Sequence, residues 1–179
     1  MPAPEQPLLV IVAGPPASGK TTIAGAIRER TGLPLIAKDS LKEVLGEQLG
    51  VSDPLDSKRL GSAVFGLIGH LVRELVGHGV SLIAEGNFAV AYPLFDDLPR
   101  ARLIQVHVTA PAEVLLERMR ERGSERDPVH YDVQAADEIL VRHARGEWEP
   151  LPLKGELIRI DTSAPPDLDA VLATLASLA

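Results

Sequence analysis

Five apolar runs of strand length punctuate this chain: Leu8 to Ala13, Pro34 to Ala37, Val80 to Ala84, Leu103 to Val108 and Leu157 to Ile160. Three of them are nearly continuous, as strands are when helices cover both faces of a parallel sheet. Stretches of helical period fill the intervals, and this alternation predicts an α/β architecture. A helix over Thr21 to Thr31 follows a glycine-rich turn. Ser40-Leu41-Lys42-Glu43 has the form of a capping box and predicts a helix starting there. Asp53-Pro54 predicts another, with Asp as cap and Pro at the first helical position. Its core stripe is Val64, Leu67, Ile68, Leu71, Val72, Leu75 and Val76, and Gly77 or Gly79 ends it. Further helices are predicted from Ala110-Pro111 through Arg122, from Asp132 to Arg145, and from Pro166 to Ala179 at the edge of the fold.

The 179 residues contain no internal repeat and no linker-like stretch, so one domain over 1–179 is expected. Eighteen Lys and Arg against 25 Asp and Glu leave a net charge of −7, which repels polyanions. With aromatics at only 3%, few surfaces exist on which unstacked bases could rest, and a nucleic-acid partner is not expected. The absence of Cys excludes disulfides, thiolate metal sites and thiol catalysis. Residues 1–7 lack a basic leader, and Leu8 to Ala13 is too short to span a bilayer, so the expectation is a cytoplasmic protein without a membrane partner. The five His, at 70, 78, 107, 130 and 143, show no metal-binding spacing.

Candidate chemistry begins at Gly14, Pro15, Pro16, Ala17, Ser18, Gly19, Lys20 and Thr21, which fit GxxxxGK[ST] between the first strand and a helix. Such a loop runs into a helix N-terminus, where backbone N–H groups and the helix dipole converge on phosphate oxygens. Pro15 and Pro16 carry no N–H, so the donors are expected from Ser18, Gly19, Lys20 and Thr21, with Thr22 beside them. Lys20 would reach the β and γ phosphates and the Thr21 hydroxyl would hold Mg²⁺. A bare glycine-rich connector is the alternative. No guanine-reading NKxD and no DExx motor signature is present, which leaves a small kinase.

Four segments in this order resemble the compact P-loop kinases of the AAA-domain and zeta-toxin type, related to chloramphenicol phosphotransferase, gluconate kinase and polynucleotide kinase. They are the loop above, Ala37-Lys38-Asp39-Ser40, Ala84-Glu85-Gly86-Asn87-Phe88, and the arginine-rich stretch from Arg118 to His130. The resemblance implies a three-layer α/β/α fold, a five-stranded parallel sheet in the order 2-3-1-4-5, and a helical lid at about 118–131. It implies Asp39 as the base that takes the acceptor's proton, Glu85 and Asn87 facing substrate or Mg²⁺, and lid arginines on the transferring phosphate, with Arg126 foremost. Asp161-Thr162-Ser163 resembles the turn bordering adenine.

The residues support parts of this on their own account. A carboxylate just beyond a parallel strand lies on the edge where ligands bind, so Asp39 suits a base; a helix cap is its other reading. Glu85 is either a metal or substrate group or an exposed turn carboxylate. Asn87, next to Gly, is equally a turn former. Arg118, Arg122 and Arg126 can converge on ATP phosphates, or pair at the surface with Glu117, Glu121 and Glu125. His130 is a weaker substrate contact, and Trp148 suits packing better than an adenine shelf. The expected function is ATP- and Mg²⁺-dependent transfer of the γ-phosphate to a hydroxyl of a small molecule such as an antibiotic, sugar, nucleoside or nucleotide-sugar. The acceptor pocket is expected among Asp39 to Leu45, Asp53 to Phe65 and Glu85 to Phe88. The rival is an ATP-binding regulatory or toxin-type protein, which an Asp39 carboxylate buried against Lys38 or a helix end would favour.

Overall fold

The computed structural model describes residues 6–90, 93–122, 128–130 and 136–178. Strand β1 (Leu8–Ala13) lies at the centre of a parallel sheet of five, with β3 (Leu82–Gly86) and β2 (Leu35–Ala37) to one side and β4 (Arg102–Thr109) and β5 (Glu156–Asp161) to the other. The order is β2-β3-β1-β4-β5, as the resemblance implied. Between the strands run α1 (Lys20–Thr31), α2 (Lys38–Leu49), α3 (Pro54–Gly77), α4 (Ala112–Arg122) and α5 (Ala136–Ala144), with α6 (Leu168–Leu178) after β5.

Strand side chains alternate between faces, and each face has its own core. Leu9, Ile11, Leu82, Ala84 and Leu103 meet Val64, Ile68, Val72 and Val76 of α3. Val10, Val12, Ile83, Ile104, Val106 and Val108 meet Ile23, Ala24 and Ile27 of α1 and Leu175 of α6. Helices on both sides of the sheet give the three layers, and they explain why the strands are apolar on both faces. Helix α3 is long and apolar enough to cross a membrane, but its apolar stripe is spent on the sheet. Leu67, predicted for that stripe, instead lies on the solvent flank, because the contact line follows every fourth residue from Leu60 to Val76.

Two differences from the expected boundaries bear on the site. Helix α2 begins at Lys38, not Ser40, directly off β2; its cap position is Ala37, which makes no side-chain bond, and Glu43 turns toward His130 instead of closing a capping box. Strand β3 starts two residues later than the apolar run, because His78, Gly79 and Val80 close the end of α3 by donating N–H groups to Leu75 and Val76 carbonyls. It then runs on through Glu85 and Gly86, paired with Val12 and Ala13 of β1. The predicted cap of α3 holds: Asp53 accepts from the Asp56 N–H at 2.8 Å, with Pro54 in the first turn. The segment 132–135 of the predicted Asp132 helix lies outside the described residues, and α5 covers the rest.

Candidate active site

The phosphate loop is shaped by backbone. Gly14 has φ +153°, and a Cβ there would stand 1.9 Å from the Val108 carbonyl oxygen, so the exit from β1 past β4 has room only for glycine. Ala17 (φ 62°) and Gly19 (φ 87°) then turn the chain left-handedly into α1. Gly19 caps α1 with no side-chain hydrogen bond, so the first-turn N–H groups keep their donor capacity. The Ser18 N–H is the exception among the four expected donors: it closes the loop's own turn onto the Pro15 carbonyl at 3.3 Å. The Ser18 hydroxyl is fully buried without a hydrogen-bond partner among the described residues. Lys20, 8% exposed, folds its ammonium onto the Pro15 carbonyl at 2.8 Å. An unpartnered hydroxyl, a buried cation and an uncapped helix start fit an anion of several oxygens.

Lys20, Thr21 and Thr22 line a cleft of about 1480 Å³ whose other walls carry Asp39, Glu85 and Asn87. Strand register places the two carboxylates: Glu85 pairs with Ala37, two residues before Asp39, and with Val12, two before Gly14. Glu85 is a strand residue only 3% exposed, which overturns its reading as an exposed turn carboxylate. Asp39 stands in the first turn of α2, where the helix dipole favours a negative charge. Its Oδ1 accepts from Lys38 Nζ at 2.8 Å and lies 3.9 Å from His130 Nδ1, while a third of its side chain is open. The carboxylate is thus paired with Lys38 but not buried by it. Asn87 contributes a buried Oδ1 with no partner among the described residues. Phe88, expected to border the acceptor pocket, is core: it packs edge-on against Phe95 at 5.0 Å and against Phe65 at 5.9 Å, contacts worth about 0.5–1.5 kcal/mol each beyond area burial. Phe65 is the ring of this set that reaches the cleft.

Arg118 belongs elsewhere. It donates to Thr162 Oγ1 at 2.9 Å, to the Thr162 carbonyl, and at 3.5 Å to the Ala17 carbonyl. Thr162 in turn donates to the Ser18 carbonyl at 2.9 Å. This network lines a smaller depression of about 290 Å³ behind the phosphate loop, bordered by Gly19, Thr22 and Pro165. Thr162, in the segment likened to an adenine border, therefore braces the loop from behind. Arg126 and the side chain of Arg122 lie outside the described residues.

A linked group that the sequence did not reveal as such stands at the opposite end of the cleft. The Lys42 ammonium, 5% exposed as a residue, donates to Ser57 Oγ at 2.6 Å and to the Val129 carbonyl at 3.0 Å, and Ser57 donates to that carbonyl as well. His130 Nε2 pairs with Glu43 Oε1 at 2.9 Å. Together these pin the short turn Pro128–His130 onto α2 and α3. Lys42, Glu43 and Ser57 fall within the segments expected around the acceptor pocket, but none was singled out: Lys42 and Glu43 carried a capping-box pattern, and nothing local marked Ser57. Trp148 is buried, with the Arg142 guanidinium 4.8 Å above its ring, and so packs as expected.

Residues 10–140 match the family described as AAA domain. The chain belongs to this family. It is 32% identical over 138 residues to a cytidylate kinase of Ignicoccus hospitalis, an alignment covering 75% of this chain and 73% of the relative. It is 31% identical over 115 residues to a shikimate kinase of Halorhodospira halophila, covering 64% and 63%. A solved structure of a presumed kinase from Chloroflexus aurantiacus superposes with a TM-score of 0.87 at 34% identity, over 98% of this chain and all of that one. The chain is accordingly a small P-loop kinase of the AAA-domain family, a nucleotide-binding phosphotransferase by fold and kinship.

Proposed function

We propose that the chain works as one kinase domain that transfers the γ-phosphoryl group of ATP to a hydroxyl of a small molecule, in the cytoplasm where Mg-ATP is supplied. The observation that carries this reading is the Asp39 carboxylate, partly open on the same cleft as Lys20 and Thr21. In it the acceptor oxygen attacks the γ-phosphorus, the bond from that phosphorus to the β,γ-bridging oxygen breaks, ADP leaves, and the hydroxyl proton passes to Asp39. Residues 14–22 cradle the phosphates, with Lys20 shifting from the Pro15 carbonyl to the β and γ oxygens. Mg²⁺, when bound, would neutralise charge on those oxygens; Thr21 would supply a hydroxyl to hold it and Glu85 a nearby buried carboxylate. Asn87 contacts the acceptor. Arg118 borders the nucleotide, and Arg122 and Arg126 act from the lid at 118–131.

The test is Asp39→Asn and Lys20→Met in the full chain, read by acceptor phosphorylation in mass spectrometry. Asp39→Asn lowers turnover by about 10²–10⁴ with Mg-ATP affinity retained, as loss of a general base does. Lys20→Met removes transfer and weakens Mg-ATP binding. Near-normal turnover in Asp39→Asn refutes the assignment of the base. The rival, an ATP-binding regulatory protein, has no chemical duty for Asp39, and a carboxylate buried against Lys38 would favour it; Asp39 is paired with Lys38 but a third open. That rival predicts Mg-ATP binding unaccompanied by any phosphorylated product.

A further inference from the structure

We infer that Thr162 is a positioning residue for the phosphate loop: its hydroxyl holds the Ser18–Gly19 peptide in the orientation that turns the Gly19 N–H toward the phosphates. This deepens the phosphate-cradling reading proposed above and rests on it. Thr162 directly follows β5, is 6% exposed, and lies 144 residues from Ser18 along the chain. Its Oγ1 stands within hydrogen-bond reach of three groups: Arg118 Nη1 at 2.9 Å, the Ser18 carbonyl at 2.9 Å and the Thr109 carbonyl at 3.2 Å. A hydroxyl has one proton to share among them. A guanidinium only donates, so Arg118 occupies a lone pair of Oγ1 and leaves the proton for a carbonyl. The Thr109 carbonyl is the farther of the two, and it already accepts from the Thr162 backbone N–H at 2.9 Å. The proton therefore goes to Ser18.

The consequence lies on the other side of the loop. In a planar trans peptide the C=O and N–H point in opposite directions. A Ser18 carbonyl tied back to Thr162 thus sends the Gly19 N–H away from the small depression that Thr162 and Arg118 line, toward the face where Lys20 and Thr21 meet the main cleft. The ladder of α1 does not hold this peptide, because it begins one residue later, where the Gly19 carbonyl accepts from the Ile23 N–H at 3.2 Å. Gly19 itself, at φ 87°, has no Cβ to resist a flip, since glycine adopts either sign of φ with similar ease. The Thr162 hydroxyl supplies the missing constraint from outside the loop. Arg118 adds to it by reaching the Ala17 carbonyl at 3.5 Å, next to an alanine held at φ 62°, where an L side chain is strained. One guanidinium and one hydroxyl, from the ends of α4 and β5, thereby hold both left-handed residues of the loop from behind.

The experiment compares the full chain with Thr162→Val, which keeps the shape of the side chain and loses the hydroxyl, and Thr162→Ser, which keeps the hydroxyl. Mg-ATP and Mg-ADP affinities are read by calorimetry well below each variant's thermal midpoint, and the Gly19 amide is followed by NMR in ¹⁵N-labelled chain. Thr162→Val should weaken both nucleotides about three- to tenfold, the worth of one hydrogen bond, and Thr162→Ser should stay within about twofold of the parent. On saturation with Mg-ADP the Gly19 amide proton should move downfield in the parent and in Thr162→Ser, as a donor to a charged oxygen does, and move less in Thr162→Val. A purely structural threonine would lower the thermal midpoint and leave that displacement intact. Should Thr162→Val not fold, Thr162→Ala is read in the same way. Nucleotide affinity within twofold of the parent in Thr162→Val, an equal loss in Thr162→Ser, or an undiminished Gly19 displacement overturns the inference and leaves the phosphotransferase reading standing. Failure of the parent chain to bind either nucleotide removes the phosphotransferase reading itself.

Discussion

The two ends of the cleft are built on different principles. At the phosphate end, nine consecutive residues from Gly14 to Thr22 do the shaping, mainly with backbone, and they retain donor capacity at an uncapped helix start and at the Ser18 hydroxyl. At the acceptor end, α2, α3, the tip of β3, the turn Pro128–His130 and α5 all contribute side chains, and Lys38, Lys42 and Lys58 among them are bound to neighbouring groups. A phosphate chain is the same ligand in every relative, so backbone amides that any sequence can present suffice to hold it. The acceptor, in the proposed reading, meets side chains from segments far apart in the chain. Kinship therefore reaches the reaction sooner than it reaches the substrate.

Substitutions at the two ends should separate these roles. The largest effect is expected from Gly14→Ala, where the added methyl meets a backbone carbonyl that cannot step aside. A loss of about 3 kcal/mol or more in chemical denaturation is anticipated, the upper range for overpacking. A variant as stable as the parent would show that the β1 exit is not so confined. Next, Lys42→Met takes away the cation holding Ser57 and Val129, at a cost of about 1–3 kcal/mol for the polar groups left behind. Acceptor turnover should fall while Mg-ATP affinity stays within about twofold, because the nucleotide end is built separately. Equal losses at both ends would erase the contrast.

Arg118→Lys gives up the two-pronged hold on Thr162, so about 1 kcal/mol of stability and a severalfold loss of nucleotide affinity are expected, with acceptor KM unmoved. The smallest change belongs to Lys58→Ala. The Lys58–Glu138 pair joins α3 to α5 in the open, with side chains 65% and 50% exposed, and such pairs contribute about 0–1 kcal/mol. The hydrogen bond from Lys58 nonetheless holds the Glu138 carboxyl below its ordinary value of 4.5. A depressed carboxyl stabilises the fold above its unfolded pKa, and that gain is lost as pH falls through the folded one. Thermal midpoints of parent and variant should therefore differ slightly at neutral pH and converge on acidification below 4.5. A gap that widens in acid would contradict the assignment.

Several features could be read from the chain directly. β1 was bounded to the residue, the Asp53-Pro54 cap was correct, and the sheet order followed from the family likeness. Glu85 and Asp39, singled out from the sequence, both line the cleft, although Glu85 was expected past its strand and lies within it. The errors share a cause. Ser40-Leu41-Lys42-Glu43 has every residue a capping box requires, yet β2 feeds α2 without a loop and His130 competes for Glu43. Phe88 followed a candidate site motif, but two other rings claimed it for the core.

Local chemistry settled what needs only neighbours: where strands lie, where glycine must stand, and which helix start presents N–H groups to phosphate. Tertiary structure decided the rest: that Lys42 is buried against a carbonyl 87 residues away, that Lys38 occupies Asp39, and that the Asn87 Oδ1 is buried with no partner among the described residues. Backbone preferences act over a few bonds and leave a mark on the local sequence. Charge compensation acts through space, at distances fixed only once the strands have paired and the helices have packed.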